Sequence, residues 1–297
     1  MHAPLNRKAK VVSIGLLLAF LLLTASNSTS SNNALPENEV QKGERFVGAY
    51  YYVWYEEGWH VNEDTPLLGY YSSDNESVIR QQLEWAKYAG IDFLMISWSN
   101  SPEWYNGETA IVADEVFRVD DEMGCPVKLA IMIEYWHGEF DINLTEASDY
   151  IYSEYASKLP CYFKLYGKPL LFVYTLDDYS QPKWNDTRFT VRYVPLQVPY
   201  GRDTFIETAL QNSETYEFTG VGPQKDNLHI DRNRDDGYYY SDIWEKVIQF
   251  SNLAANKTLV VMIATFNEWW EGTYIEPSLN YGFQYLNLTR KFVTEFK

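Results

Sequence analysis

Residues Ser77–Trp98 read SVIRQQLEWAKYAGIDFLMISW, and two periodicities follow each other within them. In Ser77–Ala89 the apolar residues Val78, Ile79, Leu83, Trp85, Ala86 and Ala89 fall at helical spacing and give one buried face. Asp74 stands three residues before Ser77 at the helix start. Glu76 lies in the first turn, where the helix dipole favours an acid, and Gly90 follows where a left-handed cap belongs. From Ile91 to Trp98 the pattern becomes an almost unbroken apolar run. Such a run predicts a strand covered on both faces, as in a parallel sheet.

The same alternation extends in both directions. Strand-like runs occur at Phe46–Val53, Ile91–Trp98, Val127–Tyr135, Pro169–Leu176, Phe189–Leu196, Tyr216–Val221 and Leu259–Phe266. Helix-like segments lie at Ala110–Met123, Glu146–Leu159 and Ser241–Leu253. Repeated strand–helix units without a break in composition predict α/β architecture, a single (β/α)8 TIM-type barrel over residues 44–297. Seven strands are visible rather than eight. The eighth falls around 177–188, or the barrel is irregular. A doubly wound open sheet is the alternative, but no GxGxxG or P-loop sequence supports a nucleotide site.

The 297 residues are 46% hydrophobic and 22% charged, enough apolar material for a full core. A formal net charge of -17 disfavours nucleic acid and anionic lipid as partners. Histidine occurs at positions 2, 60, 137 and 229, in no HExxH or HxH cluster, and the two cysteines are far apart, so neither metal nor cofactor is expected. Cys125 and Cys161 each precede an apparent strand, near one end of the fold. They either form a disulfide or remain buried thiols.

Residues 1–25 read as a targeting segment: Arg7, Lys8 and Lys10, then the apolar run Val11–Ala25. That run rises about 22 Å as a helix, short of a bilayer core of roughly 30 Å, so a cleaved signal peptide is expected. An uncleaved signal anchor is the alternative, and it would be the chain's only membrane contact. Residues 26–43 form a Ser/Asn-rich linker. Sequons at Asn27, Asn75, Asn143, Asn185, Asn256 and Asn287 agree with a secreted or extracytoplasmic destination.

In a barrel the chemistry lies at the carboxyl ends of the strands. The expected rim holds Trp54, Tyr55, Glu56, Glu57, Trp59 and His60 after the first run, and Trp98, Ser99 and Asn100 after the second. Later runs contribute Glu134, Tyr135, Trp136 and His137, then Asp177, Asp178 and Tyr179, then Asn267 to Thr273. Rings stack on the apolar faces of sugars, and carboxylates and amides bind their hydroxyls, so the pattern points to an oligo- or polysaccharide. Glu268 and Glu271 are the sharpest feature, because glycoside cleavage commonly needs two carboxyl groups. Strand alternation would place them on opposite faces, so they share a pocket only if the chain turns near Trp269, as Gly272 permits. Burial among Trp269 and Trp270 would raise one carboxyl's pKa.

Thr265–Pro277, TFNEWWEGTYIEP, resembles the FNEWHEGTQIEP signature of glycoside hydrolase family 99, the endo-α-1,2-mannosidases and mannanases. Further agreeing blocks are Tyr51–Tyr55, Trp59-His60, Leu68–Asp74, Ala89–Asp92, Ser97-Trp98 and Arg234–Tyr239. The resemblance implies a metal-free barrel enzyme that retains anomeric configuration. In it Glu268 would take the proton of the sugar's own 2-hydroxyl, and Glu271 would act as acid and then base. Tyr52, Trp54, Trp59, His60, Trp98, Glu134 and Tyr239 would bind substrate. Trp270 and Tyr274 depart from the signature's His and Gln. Proteins of surface-polysaccharide gene clusters end in a similar NEWxEGxxxEP block. Two other expectations therefore stand beside the glycosidase: a non-catalytic glycan-binding protein, and a transglycosylating enzyme of polysaccharide assembly.

Overall fold

Strand β1 (Arg45–Tyr51) lies at the centre of the sheet in this computed structural model, flanked by β2 (Phe93–Trp98) and β8 (Thr258–Ile263). The structure describes residues 43–102, 108–135, 142–175, 184–195, 215–221, 234–255 and 258–297. Strands β3 (Lys128–Glu134), β5 (Lys168–Thr175) and β6 (Thr190–Pro195) continue from β2, and β7 (Thr215–Val221) pairs with β8. Every one of these pairings is parallel. The order β6-β5-β3-β2-β1-β8-β7 is that of an irregular (β/α)8 barrel. The short β4 (Lys164–Leu165) adds an antiparallel pair at the start of β5.

All seven expected strands are present. The largest end difference is at β8, which stops at Ile263 where Phe266 was expected. No barrel strand occupies 184–188, and 176–183 lie outside the described residues. The helices are α1 (Glu76–Ala89), α2 (Glu108–Glu122), α3 (Leu144–Ile151, continued by a π-turn to Ala156), α4 (Tyr238–Leu253) and α5 (Gln284–Phe296). The cap of α1 is Asn75, whose side chain accepts from the Ser77 N–H, one residue later than the expected Asp74. Asn143 caps α3 in the same way. Two sequon asparagines thus have helix-starting roles. Gly90 closes α1 in the left-handed region at φ 78°. Helix α5 was not anticipated. It lays Tyr285, Leu286, Thr289, Phe292, Val293 and Phe296 against α1 and α4.

Side chains alternate along the strands between two layers. Val47, Ala49, Tyr51, Leu94, Ile96 and Trp98 face the helices. Tyr50, Phe93, Met95, Met132, Phe172 and Met262 fill the barrel interior, with Phe46 and Tyr52 in the same column. Gly48 belongs to that inward column. A Cβ there would lie 2.4 Å from the Phe93 ring and 2.7 Å from Met262 Sδ, so close strand packing excludes any side chain.

Cys125 and Cys161 form a disulfide with a Cα–Cα distance of 5.2 Å. It joins the segments entering β3 and β5 at the amino-terminal pole. Closing a loop of 36 residues stabilises by about 4 kcal/mol on a chain-entropy basis. The double replacement Cys125→Ser with Cys161→Ser is expected to lower the melting midpoint by about 10 °C, read by calorimetry. An unchanged midpoint would show that the cross-link adds nothing. The expected leader (1–25) and linker lie outside the described residues, save Gly43. Among the described residues no helix is long and apolar enough to cross a membrane.

Candidate active site

Three inward columns end at the carboxyl pole in a residue that carries chemistry. Beyond Tyr50 on β1 comes Tyr52, beyond Met95 on β2 comes Ser97, and beyond Met132 on β3 comes Glu134. Ser97 Oγ donates to Glu134 Oε1 at 2.7 Å, and both residues are buried. The Tyr52 hydroxyl is pushed well above its usual pKa by burial and then by the charges of Glu268, Glu134 and Glu271. That hydroxyl is where the fields of all three glutamates meet.

The segment after β8 doubles back instead of extending. Thr265 N–H donates to Thr273 O at 3.0 Å, and Thr273 N–H to Glu268 O at 3.1 Å. Gly272 N–H reaches Trp269 O at 3.2 Å, and Gly272 takes φ 67°. The result is a tight turn over Trp269–Gly272 whose left-handed position suits glycine. Glu268 and Glu271 therefore sit on one turn, and strand alternation no longer separates them. The Glu268 carboxylate folds over that turn. Its Oε1 accepts from Trp270 N–H at 2.9 Å and Glu271 N–H at 3.4 Å. Glu268 is 3% exposed, while Glu271 is exposed. Burial raises the Glu268 pKa to about 8, and the Glu271 and Glu134 charges add to this against the two N–H donors.

A third buried carboxylate holds the turn from behind. Glu276 Oε2 accepts from Tyr71 Oη and Trp269 Nε1, both at 2.8 Å, and its Oε1 accepts from Gln82 Nε2 at 2.8 Å. Burial raises its pKa to about 7, opposed by those three donors. Asn267 clamps the turn to β1 by exchanging two hydrogen bonds of 2.8 Å with the Tyr52 backbone. Tyr55 Oη donates to Asn267 O and accepts from Trp269 N–H, each at 2.8 Å. Trp269 stacks on Tyr274 with centroids 3.7 Å apart, and the Arg234 guanidinium lies 3.9 Å from the Tyr274 centroid and 4.1 Å from that of Tyr285. Arg234 also donates to Tyr274 O. Sequence reading gave no role to Glu276 or Arg234, and it placed Asn267 in the sugar-binding rim, where its amide instead holds the Tyr52 backbone. All three lay in blocks it quoted, and a carboxylate between Ile275 and Pro277 was the available signal.

The aromatic wall forms, with one exception. Trp54 packs on Tyr52 with centroids 4.3 Å apart and stacks on Trp270 at 5.7 Å. Trp59 packs on Tyr55 at 4.2 Å, and its Nε1 donates to Tyr71 O. Tyr239 is half-buried in the first turn of α4, at the same pole. His60 is exposed and makes no hydrogen bond or ion pair among the described residues. Trp98 is the correction. It is 0% exposed, lies in the layer between sheet and helices, and meets Tyr150 of α3. Alternation turns Ser97 inward and Trp98 outward, so Trp98 is core and not a sugar platform. Trp136, His137, Asp177, Asp178 and Tyr179 lie outside the described residues. Asp120, Cys125 and Cys161 are close enough together to suggest metal ligands, but both sulfurs are held in the disulfide.

Comparison with known proteins agrees with this architecture. A family described as Glycosyl hydrolase family 99 matches residues 58–225, more than half of the chain. A second, described as Glycosyltransferase WbsX, matches residues 205–289, which include the glutamate turn. A glycoprotein endo-alpha-1,2-mannosidase-like protein of Mus musculus is 24% identical over 72% of this chain and 58% of its own length. Its Homo sapiens counterpart is also 24% identical, over 72% and 57%. The chain thus spans less than two thirds of these curated relatives. Among solved structures, a GH99 endo-alpha-mannosidase from Bacteroides thetaiotaomicron superposes with TM-score 0.61 at 19% identity, covering 84% of this chain and 97% of that one. At that identity the likeness speaks for the barrel alone. By its sequence match the chain belongs to glycosyl hydrolase family 99.

Proposed function

We propose that this chain is an exported, retaining, endo-acting α-glycosidase that cleaves α-mannosidic linkages in a mannan or N-glycan. The observation that carries the reading is the turn that sets buried Glu268 and exposed Glu271 three residues apart beside the Tyr52–Trp54–Trp270 rings. In the proposed sequence Glu268 takes the proton of the 2-hydroxyl, and that oxygen attacks C1. Glu271 gives its proton to the departing glycosidic oxygen, leaving a 1,2-anhydro sugar. Water then opens the ring of the anhydro sugar. Glu271 accepts the water's proton, and Glu268 returns its own to the 2-oxygen. The one negative charge left on the glutamate pair, with Glu134 nearby, favours the positive charge that develops at C1. The disulfide supports export, because such bonds persist in oxidising compartments.

The pair works while it holds one proton, whichever glutamate carries it. Raising the pH through about 8 removes that proton, so kcat/KM is expected to fall above about pH 8. A profile flat to pH 10 would contradict the coupled pair. The two roles separate by leaving group. Protonation matters little for fluoride, so Glu271→Gln should retain turnover of an α-mannosyl fluoride while losing it on an oligosaccharide. Glu268→Gln should lose both. The opposite result would exchange the roles.

The WbsX match over the glutamate turn favours a second reading, transfer of the glycosyl unit to another sugar. The acidic cleft disfavours a nucleotide diphosphate as donor, so such transfer would begin from a glycoside. Product analysis by mass and anomeric configuration, with and without an acceptor sugar, distinguishes transfer from hydrolysis.

A further inference from the structure

Trp270 is the large apolar residue that the turn exposes beside the glutamates. It is 44% exposed, although burial would be the ordinary place for an indole. Its position is not loose. Its backbone N–H donates to Glu268 Oε1 at 2.9 Å, and its ring lies nearly parallel to Trp54, at 22°, with centroids 5.7 Å apart. The Tyr55 ring supports it at 5.1 Å. One side of the indole is therefore braced, and the exposed remainder is presented at the rim immediately before Glu271 in the chain. Trp269 is placed differently: it is 2% exposed, stacked on Tyr274, and its indole N–H donates to Glu276. The adjacent tryptophans are thus an anchor and a platform.

We propose that Trp270 forms a sugar-binding subsite on the leaving-group side of the cleft. Its indole stacks on the apolar face of the sugar whose oxygen Glu271 protonates. This rests on the function proposed above and extends it. A residue that grips the departing sugar makes a glycan continuing beyond the cleaved bond a better substrate than one ending there. It also holds that sugar in place as an acceptor, so it sets the division of products between hydrolysis and transfer.

The test uses the full barrel with Trp270→Ala, Trp270→His and Trp270→Phe. Binding of α-manno-oligosaccharides is read by calorimetry in a Glu268→Gln background, which needs no turnover. Trp270→Ala is expected to weaken binding about tenfold, equivalent to about 1.4 kcal/mol, with Trp270→Phe recovering part of the loss. In the active background kcat/KM should fall further for an oligosaccharide than for an α-mannosyl fluoride, which has no sugar on that side. The share of transfer product should fall as well. Equal losses on both substrates, or unchanged oligosaccharide binding in Trp270→Ala, would overturn the subsite. Binding that depends on Trp270 without any turnover of the wild-type chain would uphold the subsite and refute the glycosidase.

Discussion

Glu268→Gln is expected to lower kcat/KM on an α-mannoside by about 10³-fold or more and, at the same time, to stabilise the barrel. The isosteric amide keeps an oxygen for the Trp270 and Glu271 N–H groups, so the turn survives. What disappears is a buried acid. Its folded pKa of about 8 stands above the ordinary glutamate value of 4.5, so the folded state binds its proton more tightly than the unfolded state does. Stability from this group is therefore fully present below about pH 4.5 and is lost as pH rises through about 8. Glutamine removes that loss. The gain should be near zero at pH 4 and reach about 1–3 kcal/mol at pH 8, measured by urea unfolding at both values. A variant no more stable at pH 8 would mean that the carboxylate is solvated and the turn open.

The second large effect concerns stability. Glu276→Leu leaves the Trp269 indole N–H, the Tyr71 hydroxyl and the Gln82 amide without their acceptor in a dry interior. Each orphaned donor carries a desolvation penalty, and the sum should be about 3–5 kcal/mol. Glu276→Gln should lose far less, about 1 kcal/mol, because one oxygen can still receive Tyr71 and Trp269 and the Gln82 amide can reorient. Equal losses in the two variants would show that packing, not hydrogen bonding, explains the site. The same carboxylate anchors Trp269, so Glu276→Leu is also expected to loosen the Glu268 turn and lower kcat.

The strands were legible because a parallel strand buried on both faces is apolar throughout, and Phe93–Trp98 has no exposed residue. That continuity hides which face each side chain takes. Ser97 meets Glu134 while Trp98 meets α3, and no feature of the sequence separates two neighbours in an unbroken run. The turn at Trp269–Gly272 was legible from its glycine. The support behind it was not, because Glu276, Gln82 and Tyr71 come from distant segments and only folding brings them together. Helix α5 carried a readable apolar stripe, but it follows the last strand and so lies outside the strand–helix–strand alternation that guided the reading.

The disulfide and the glutamates occupy opposite poles of the barrel, and both ends of its chain belong to the disulfide's pole. Gly43 N–H bonds Ala255 O before β1 begins, and Lys297 Nζ reaches Gly90 O and Asp92 Oδ1 where β2 begins. A fusion partner, affinity handle or solid support joined at residue 43 or 297 would leave the glutamate-bearing rim directed outward. Immobilised by either end, the barrel should still admit a long polymer lying across its rim.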